Sequence, residues 1–75
     1  MINVLCFAHI KELTGAEKVQ IQQDEMTVEQ LLNELNYRYG VSGDFMVAVN
    51  EEYADKEDIV KSGDTVAIIP PVSGG

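Results

Sequence analysis

One stretch, Met26 to Gly40, limits the folds open to this chain more than any other. Thr27 stands three residues before Gln30, the spacing of a helix capping box, and Met26 just ahead of it faces Leu31 as a hydrophobic staple. Val28, Leu31, Leu32, Leu35 and Tyr39 then recur at helical spacing on one side, and Gly40 occupies the place of a left-handed C-terminal cap. The pattern predicts a single amphipathic helix whose apolar stripe must be covered by another layer. The remainder of the chain reads as strands and turns, so that layer is a sheet.

The flanking segments supply its strands. Met1 to Ala8 alternates: Ile2, Val4, Cys6 and Ala8 point toward the core, while Leu5 and Phe7 share the outer face with Asn3, which leaves Phe7 exposed. His9 to Gly15 holds one helical turn at most, closed by Gly15. Val19 and Ile21 alternate with Lys18, Gln20 and Gln22, a second strand placed to pair with the first as a hairpin. Phe45 to Val49 is a third strand, ended by Asn50-Glu51-Glu52, with Tyr53 opening a short return. Glu57 to Val60 forms a small turn or helix. Lys61-Ser62-Gly63-Asp64 is a tight turn that feeds the last strand, Thr65 to Ile69, with Val66 and Ile68 on one face and Thr65, Ala67 and Ile69 on the other. The order predicts an α+β fold, one main helix packed across a mixed sheet, in a single domain over residues 1–69.

Composition narrows the function. A chain of 75 residues needs nearly all its apolar side chains for its own core, which leaves little for an enclosed active-site cavity. Thirteen acidic against 5 basic residues, net charge −8, argues against nucleic acid and anionic membrane, both of which call for a basic patch. Partners are expected to be electropositive. The single cysteine cannot form an internal disulfide and offers no metal-ligand spacing, so no metal is expected and a cytoplasmic setting is the simplest inference. No apolar run approaches the roughly 20 residues that span a bilayer, and no signal-peptide pattern opens the sequence.

Side chains do not suggest catalysis. His9, three residues after Cys6, has the residue types of a base and a nucleophile, but an inward-facing Cys6 is a core residue. Asp55, Glu57 and Asp58 lack a calcium-loop pattern and read as solvated surface. The distinctive chemistry lies at the other end. After Val66-Ala67-Ile68-Ile69, Pro70 and Pro71 remove two backbone donors and force the chain out of the sheet. Residues 70–75, Pro70-Pro71-Val72-Ser73-Gly74-Gly75, thus form an extended tail that reaches about 20 Å at roughly 3.3–3.6 Å per residue. Gly74 and Gly75 present a carboxylate on backbone slim enough to enter a channel that a side chain would block. A carboxylate is a poor electrophile, so its use requires an enzyme that converts it to a mixed anhydride open to a sulfur or nitrogen nucleophile. Phe7 and Ile69, if their strands are neighbours, make an apolar patch at the root of this tail, with Lys11 and Tyr53 at its border.

These residues resemble a known family. Met1-Ile2-Asn3-Val4-Leu5-Cys6-Phe7-Ala8, Lys11-Glu12-Leu13 and Gly15 resemble the start of the MoaD family, the small sulfur-carrier subunits of molybdopterin synthase. Val47-Ala48-Val49-Asn50 and Gly63-Asp64-Thr65-Val66-Ala67-Ile68-Ile69-Pro70-Pro71-Val72-Ser73-Gly74-Gly75 resemble its end. The likeness covers essentially the whole chain, and the long C-terminal run is specific where a bare Gly-Gly is not. Where family members often carry phenylalanine or arginine, this chain has Cys6 and Lys11; lysine keeps the charge but loses the bidentate fork.

The resemblance implies a ubiquitin-like β-grasp fold and a non-enzymatic role within a sulfurtransferase complex. Gly75 would be adenylated with ATP by a MoeB-like activating enzyme, then converted to a thiocarboxylate. The tail would enter a MoaE-like large subunit, which supplies the catalytic side chains, and donate sulfur to cyclic pyranopterin monophosphate. The family's complex is a heterotetramer, and the chain itself binds no cofactor. Phe7, Tyr53 and Ile69 fall at the family's docking surface. The thiamine-pathway sulfur carriers have a similar fold and Gly-Gly end, although Pro-Pro-Val-Ser favours MoaD. A ubiquitin-like protein modifier, joined through Gly75 to a lysine amine, and a plain interaction domain are the other readings.

Overall fold

A computed structural model describes residues 1–69; the expected tail, 70–75, lies outside the described residues. The chain runs β1 (Ile2–Cys6), α1 (Ala8–Thr14), β2 (Lys18–Ile21), β3 (Glu25–Thr27), α2 (Val28–Tyr39), β4 (Met46–Val49), β5 (Glu52–Ala54), β6 (Ile59–Lys61) and β7 (Thr65–Ile69). The main sheet has the order β2-β1-β7-β4-β5. β1 and β7 are parallel neighbours, and the other pairings within it are antiparallel. A mixed sheet with one main helix is the architecture expected from the element order.

The helix forms as its sequence dictates. Thr27 Oγ1 accepts from the Gln30 N–H at 3.1 Å, while Gln30 Oε1 accepts from the Thr27 N–H at 2.9 Å, so the capping box is closed in both directions. Gly40 ends the helix at φ 74°, its N–H donating to the Asn36 carbonyl, a conformation in which a Cβ would be strained. Val28, Leu31 and Leu35 are buried; Leu32 and Tyr39 are half-buried at the edges of the stripe.

The stripe meets the inner face of the sheet. Ile2, Val4 and Cys6 from β1, Val66 and Ile68 from β7, and Val47 from β4 close against it, with Ile10 of α1 and Val60 of β6 at the ends of the same cluster. No polar or charged residue is buried among the described residues. Each fully buried aliphatic side chain contributes roughly 1.5–3 kcal/mol relative to exposure, so specificity here comes from shape alone.

Four expectations are corrected. β1 stops at Cys6, and Ala8, expected in the core, is exposed with φ 51° at the start of a helix. That helix, α1, has 7 residues and not one turn; Phe7 precedes it without any side-chain cap, and burial of Ile10 holds it against the sheet. Met26 lies in a strand, β3, that the sequence did not suggest. Of the turn or helix expected over Glu57 to Val60, a turn is found at Lys56-Glu57, but Ile59 and Val60 belong to a strand, β6, which pairs antiparallel with β3. This small second sheet brings the 56–58 backbone over the start of α2. There the carbonyls of Asp58 and Lys56 accept from the N–H groups of Val28 and Glu29 at 2.9 and 3.1 Å, satisfying donors that a helix start leaves open.

Candidate functional site

The outer face of the main sheet is built by the residues that alternate with the core. β1 and β7 pair with Leu5 opposite Ala67 and Cys6 opposite Ile68. The next residues of each chain are Phe7 and Ile69, so the parallel register brings both to the same end of the sheet. β4 lies on the other side of β7, with Met46 opposite Ile69 and Ala48 opposite Ala67, and β5 places Tyr53 opposite Ala48. Two rows result. One crosses the sheet as Leu5, Ala67, Ala48 and Tyr53; the other, at the end where the chain leaves β7, holds Phe7, Ile69 and Met46.

This surface is apolar, and nothing among the described residues covers it. Phe7, Met46 and Tyr53 are 47%, 53% and 73% exposed, and Leu5, Ala67 and Ile69 are half-buried. Two shallow depressions lie on it. Leu5, Ala48, Asn50, Glu51, Thr65 and Ala67 line the first; Leu5, Phe7, Lys11 and Glu17 contribute to the second. Phe7 and Ile69 lie together at the end of this surface where β7 finishes, with Tyr53 on its β5 side and Lys11 on its α1 side. Met46 was missed because its exposure depends on the β4–β7 register and not on any local pattern. Lys11 is not an unpaired charge: its Nζ lies 3.1 Å from Glu17 Oε1. The expected tail residues, Pro70, Pro71, Val72, Ser73, Gly74 and Gly75, lie outside the described residues.

At the opposite end of β7 the polar residues build a clamp. Asp64 Oδ2 accepts from the Lys61 N–H at 2.8 Å and its Oδ1 accepts from Asn50 Nδ2 at 3.0 Å. These bonds to the ionised form hold the Asp64 carboxyl below its ordinary pKa, the backbone bond at Lys61 more than the Asn50 side chain. Asn50 Oδ1 in turn accepts from the Thr65 N–H at 3.0 Å. The turn that carries Gly63 at φ 94° is thus tied to the β4–β5 turn, and the register of β7 against both neighbours is fixed. Asn50, Gly63 and Asp64 are a framework for the strand that positions Ile69.

Cys6 and His9 do not make a catalytic pair. Cys6 is buried at 3% exposure, whereas His9 is exposed and its ring lies against Phe45, centroids 6.2 Å apart. Asp58 turns its carboxylate back to accept from the Asp55 N–H at 2.8 Å, a turn-forming role.

The family model described as the ThiS family matches residues 4–75. The chain belongs to the ThiS family. This ThiS-family chain is 36% identical over 81 residues to the molybdopterin synthase sulfur carrier subunit of Haemophilus influenzae, with all of both chains covered. It is 35% identical over 83 residues to the human protein of the same name, covering 99% of this chain and 93% of the human one. Among solved structures, Haloferax volcanii small archaeal modifier protein 1 superposes with a TM-score of 0.82 at 26% identity, over 95% and 97% of the two chains. A chain from the Helicobacter pylori complex of subunits 1 and 2 of molybdopterin-converting factor matches with a TM-score of 0.59 at 27% identity, over 99% and 97%. The mixed sheet and its helix are the ubiquitin-like β-grasp of this family. Among the described residues no helix is long and apolar enough to cross a membrane.

Proposed function

We propose that this chain is a sulfur carrier for molybdopterin synthesis and works as the small subunit of molybdopterin synthase. The observation that carries the reading is the convergence of Phe7, Met46 and Ile69 at the end of β7, directly before Pro70-Pro71-Val72-Ser73-Gly74-Gly75. A partner that grips this face holds the end of β7 from which the C-terminal residues continue, and holding a reacting group close is what its chemistry requires. The names of the full-length relatives support the pathway, and the Helicobacter pylori complex supports a second subunit as the partner.

The chemistry falls to Gly75. Its carboxylate oxygen attacks the α-phosphorus of ATP on a MoeB-like activating enzyme, releasing pyrophosphate and leaving an acyl adenylate. A sulfide-level nucleophile (HS⁻) then attacks the acyl carbon, AMP departs with the oxygen it was bound through, and Gly75 is left as a thiocarboxylate. In the MoaE-like large subunit the thiocarboxylate sulfur bonds to cyclic pyranopterin monophosphate, and water then cleaves the acyl–sulfur bond, which leaves the sulfur on the substrate and restores the Gly75 carboxylate. Two such donations complete the dithiolene of molybdopterin. The catalytic side chains belong to the large subunit, in a heterotetramer, and the setting is cytoplasmic.

Intact mass of the protein purified from cells containing its activating enzyme tests this. A population heavier by the difference between sulfur and oxygen, placed at Gly75 by fragmentation and absent from a variant lacking Gly74 and Gly75, is expected. A mass that stays unmodified after ATP, activating enzyme and a sulfur source are supplied overturns the proposal. The likeness to the archaeal modifier favours one second reading, attachment of Gly75 to lysine amines, for which isopeptide-linked adducts in cells are the distinguishing result.

A further inference from the structure

β4 and β5 are joined by Asn50 and Glu51, between the paired residues Val49 and Glu52. Both turn residues have positive φ, 51° and 73°, the type I′ geometry that suits the twist of a two-residue hairpin. Asparagine tolerates that conformation, and Asn50 is further held by its bonds to Asp64 and Thr65. The second position is one that glycine fills without steric penalty, while glutamate brings a Cβ and a long charged side chain. Among the described residues no side-chain hydrogen bond or ion pair of Glu51 offsets that strain. Glu51 is exposed and enters neither ion pair found among the described residues, Lys11–Glu17 or Glu34–Arg38. Yet it lines the apolar depression formed by Leu5, Ala48 and Ala67 on the outer face. A residue unfavourable for its turn therefore sets a negative charge at the lip of an apolar cup.

We propose that Glu51 is a charge-recognition residue of the docking face, where it receives a lysine or arginine of the large synthase subunit beside an aliphatic side chain that enters the cup. The inference rests on the docking role given above to the outer face. The acidic balance of the chain, net −8, already favours a basic partner, and Glu51 gives that preference an address. Rim charges of this kind act mainly on association rate and partner choice, and their effect is screened by salt.

The test is binding of the full-length chain to its large subunit, with melting temperatures measured in parallel. Glu51→Gly is expected to melt higher, because the turn is relieved of strain, and to bind roughly threefold or more weakly at low salt, since an exposed pair contributes modestly. Glu51→Lys is expected to bind about tenfold or more weakly, chiefly through slower association, with the deficit shrinking near 1 M salt. Unchanged affinity in both variants overturns the inference. Ile69→Lys separates the two levels of the argument: if it weakens binding while the Glu51 variants do not, only the role of Glu51 falls, and if it too has no effect, the docking role of the whole face falls with it.

Discussion

The inner and outer faces of the main sheet are made by alternate residues of the same strands, yet they are finished differently. On the inner face Ile2, Val4, Val66 and Ile68 are fully buried beneath Leu31 and Leu35. On the outer face Leu5, Phe7, Met46, Tyr53 and Ile69 are of similar character and nothing covers them among the described residues. A 75-residue chain has little apolar surface to spare, because small domains bury a low fraction of what they expose when unfolded. Phe7, Met46 and Tyr53 exposed on one face, with Leu5 and Ile69 half-buried beside them, are the kind of apolar patch that a partner covers, and this is the face given the docking role in the proposed function. The same alternation that gives the fold its core gives the proposed docking role its surface.

If the inner face is the source of stability, Leu35→Ala should break the fold. Leu35 is fully buried under the sheet, and truncating such a side chain costs about 2–5 kcal/mol through lost transfer energy and the cavity left behind. Urea unfolding measures this directly. A loss below about 1 kcal/mol would show that α2 does not close the core as tightly as its contacts indicate.

The mirror-image substitution on the outer face should do the opposite. Ile69→Lys places a charge at the centre of the uncovered row, opposite Met46, where the side chain still reaches water. Its stability cost should stay within about 1 kcal/mol, as for other surface changes away from special features, while affinity for the large subunit falls by about tenfold or more, as expected of a buried charge in an interface core. Stability and binding measured on both variants give a crossed pattern. If Leu35→Ala and Ile69→Lys both act on stability alone, the division between the faces is wrong.

What could be seen in the sequence follows the range of the interactions involved. The α2 capping box, its stripe and the alternation of β1 and β7 are set within single elements, so Thr27, Gln30, Ile2, Val4, Phe7 and Ile69 were all legible. β3 and β6 were not, because each is a three-residue segment that is a strand only by pairing with the other across more than 30 intervening positions. α1 was underestimated for a related reason: its start has no side-chain cap, and what stabilises it is the burial of Ile10 against distant strands. In the site, alternation alone places Phe7 and Ile69 outward. That Met46 joins them, and that Ala48 and Ala67 floor the cup beside Leu5, is decided by register, which no local pattern encodes. Lys11 lies on the α1 side of the same surface, and its pairing with Glu17 depends on how α1 returns into β2.

The smallest expected effect concerns the clamp that holds the two faces in register. The Lys61 N–H and the Asn50 amide both donate to the ionised Asp64 carboxylate, and its pKa is lowered on folding. A carboxyl group with a folded pKa below its unfolded value stabilises the native state fully above the unfolded value, about 3.9 for aspartate, and loses that contribution as pH falls through the folded value. Wild type and Asp64→Ala should therefore differ in urea midpoint at pH 7, by less than the Leu35→Ala change, and converge as the pH is taken below the ordinary carboxylate range. Measuring the difference between the two proteins at each pH cancels the titration of the other acidic residues, which both share. A gap that persists unchanged into strong acid would mean that the Asp64 side chain supports the turn through hydrogen bonds that do not need its charge, whereas no gap at pH 7 would mean that the backbone bonds and the Asn50 bond to Thr65 hold the turn without it.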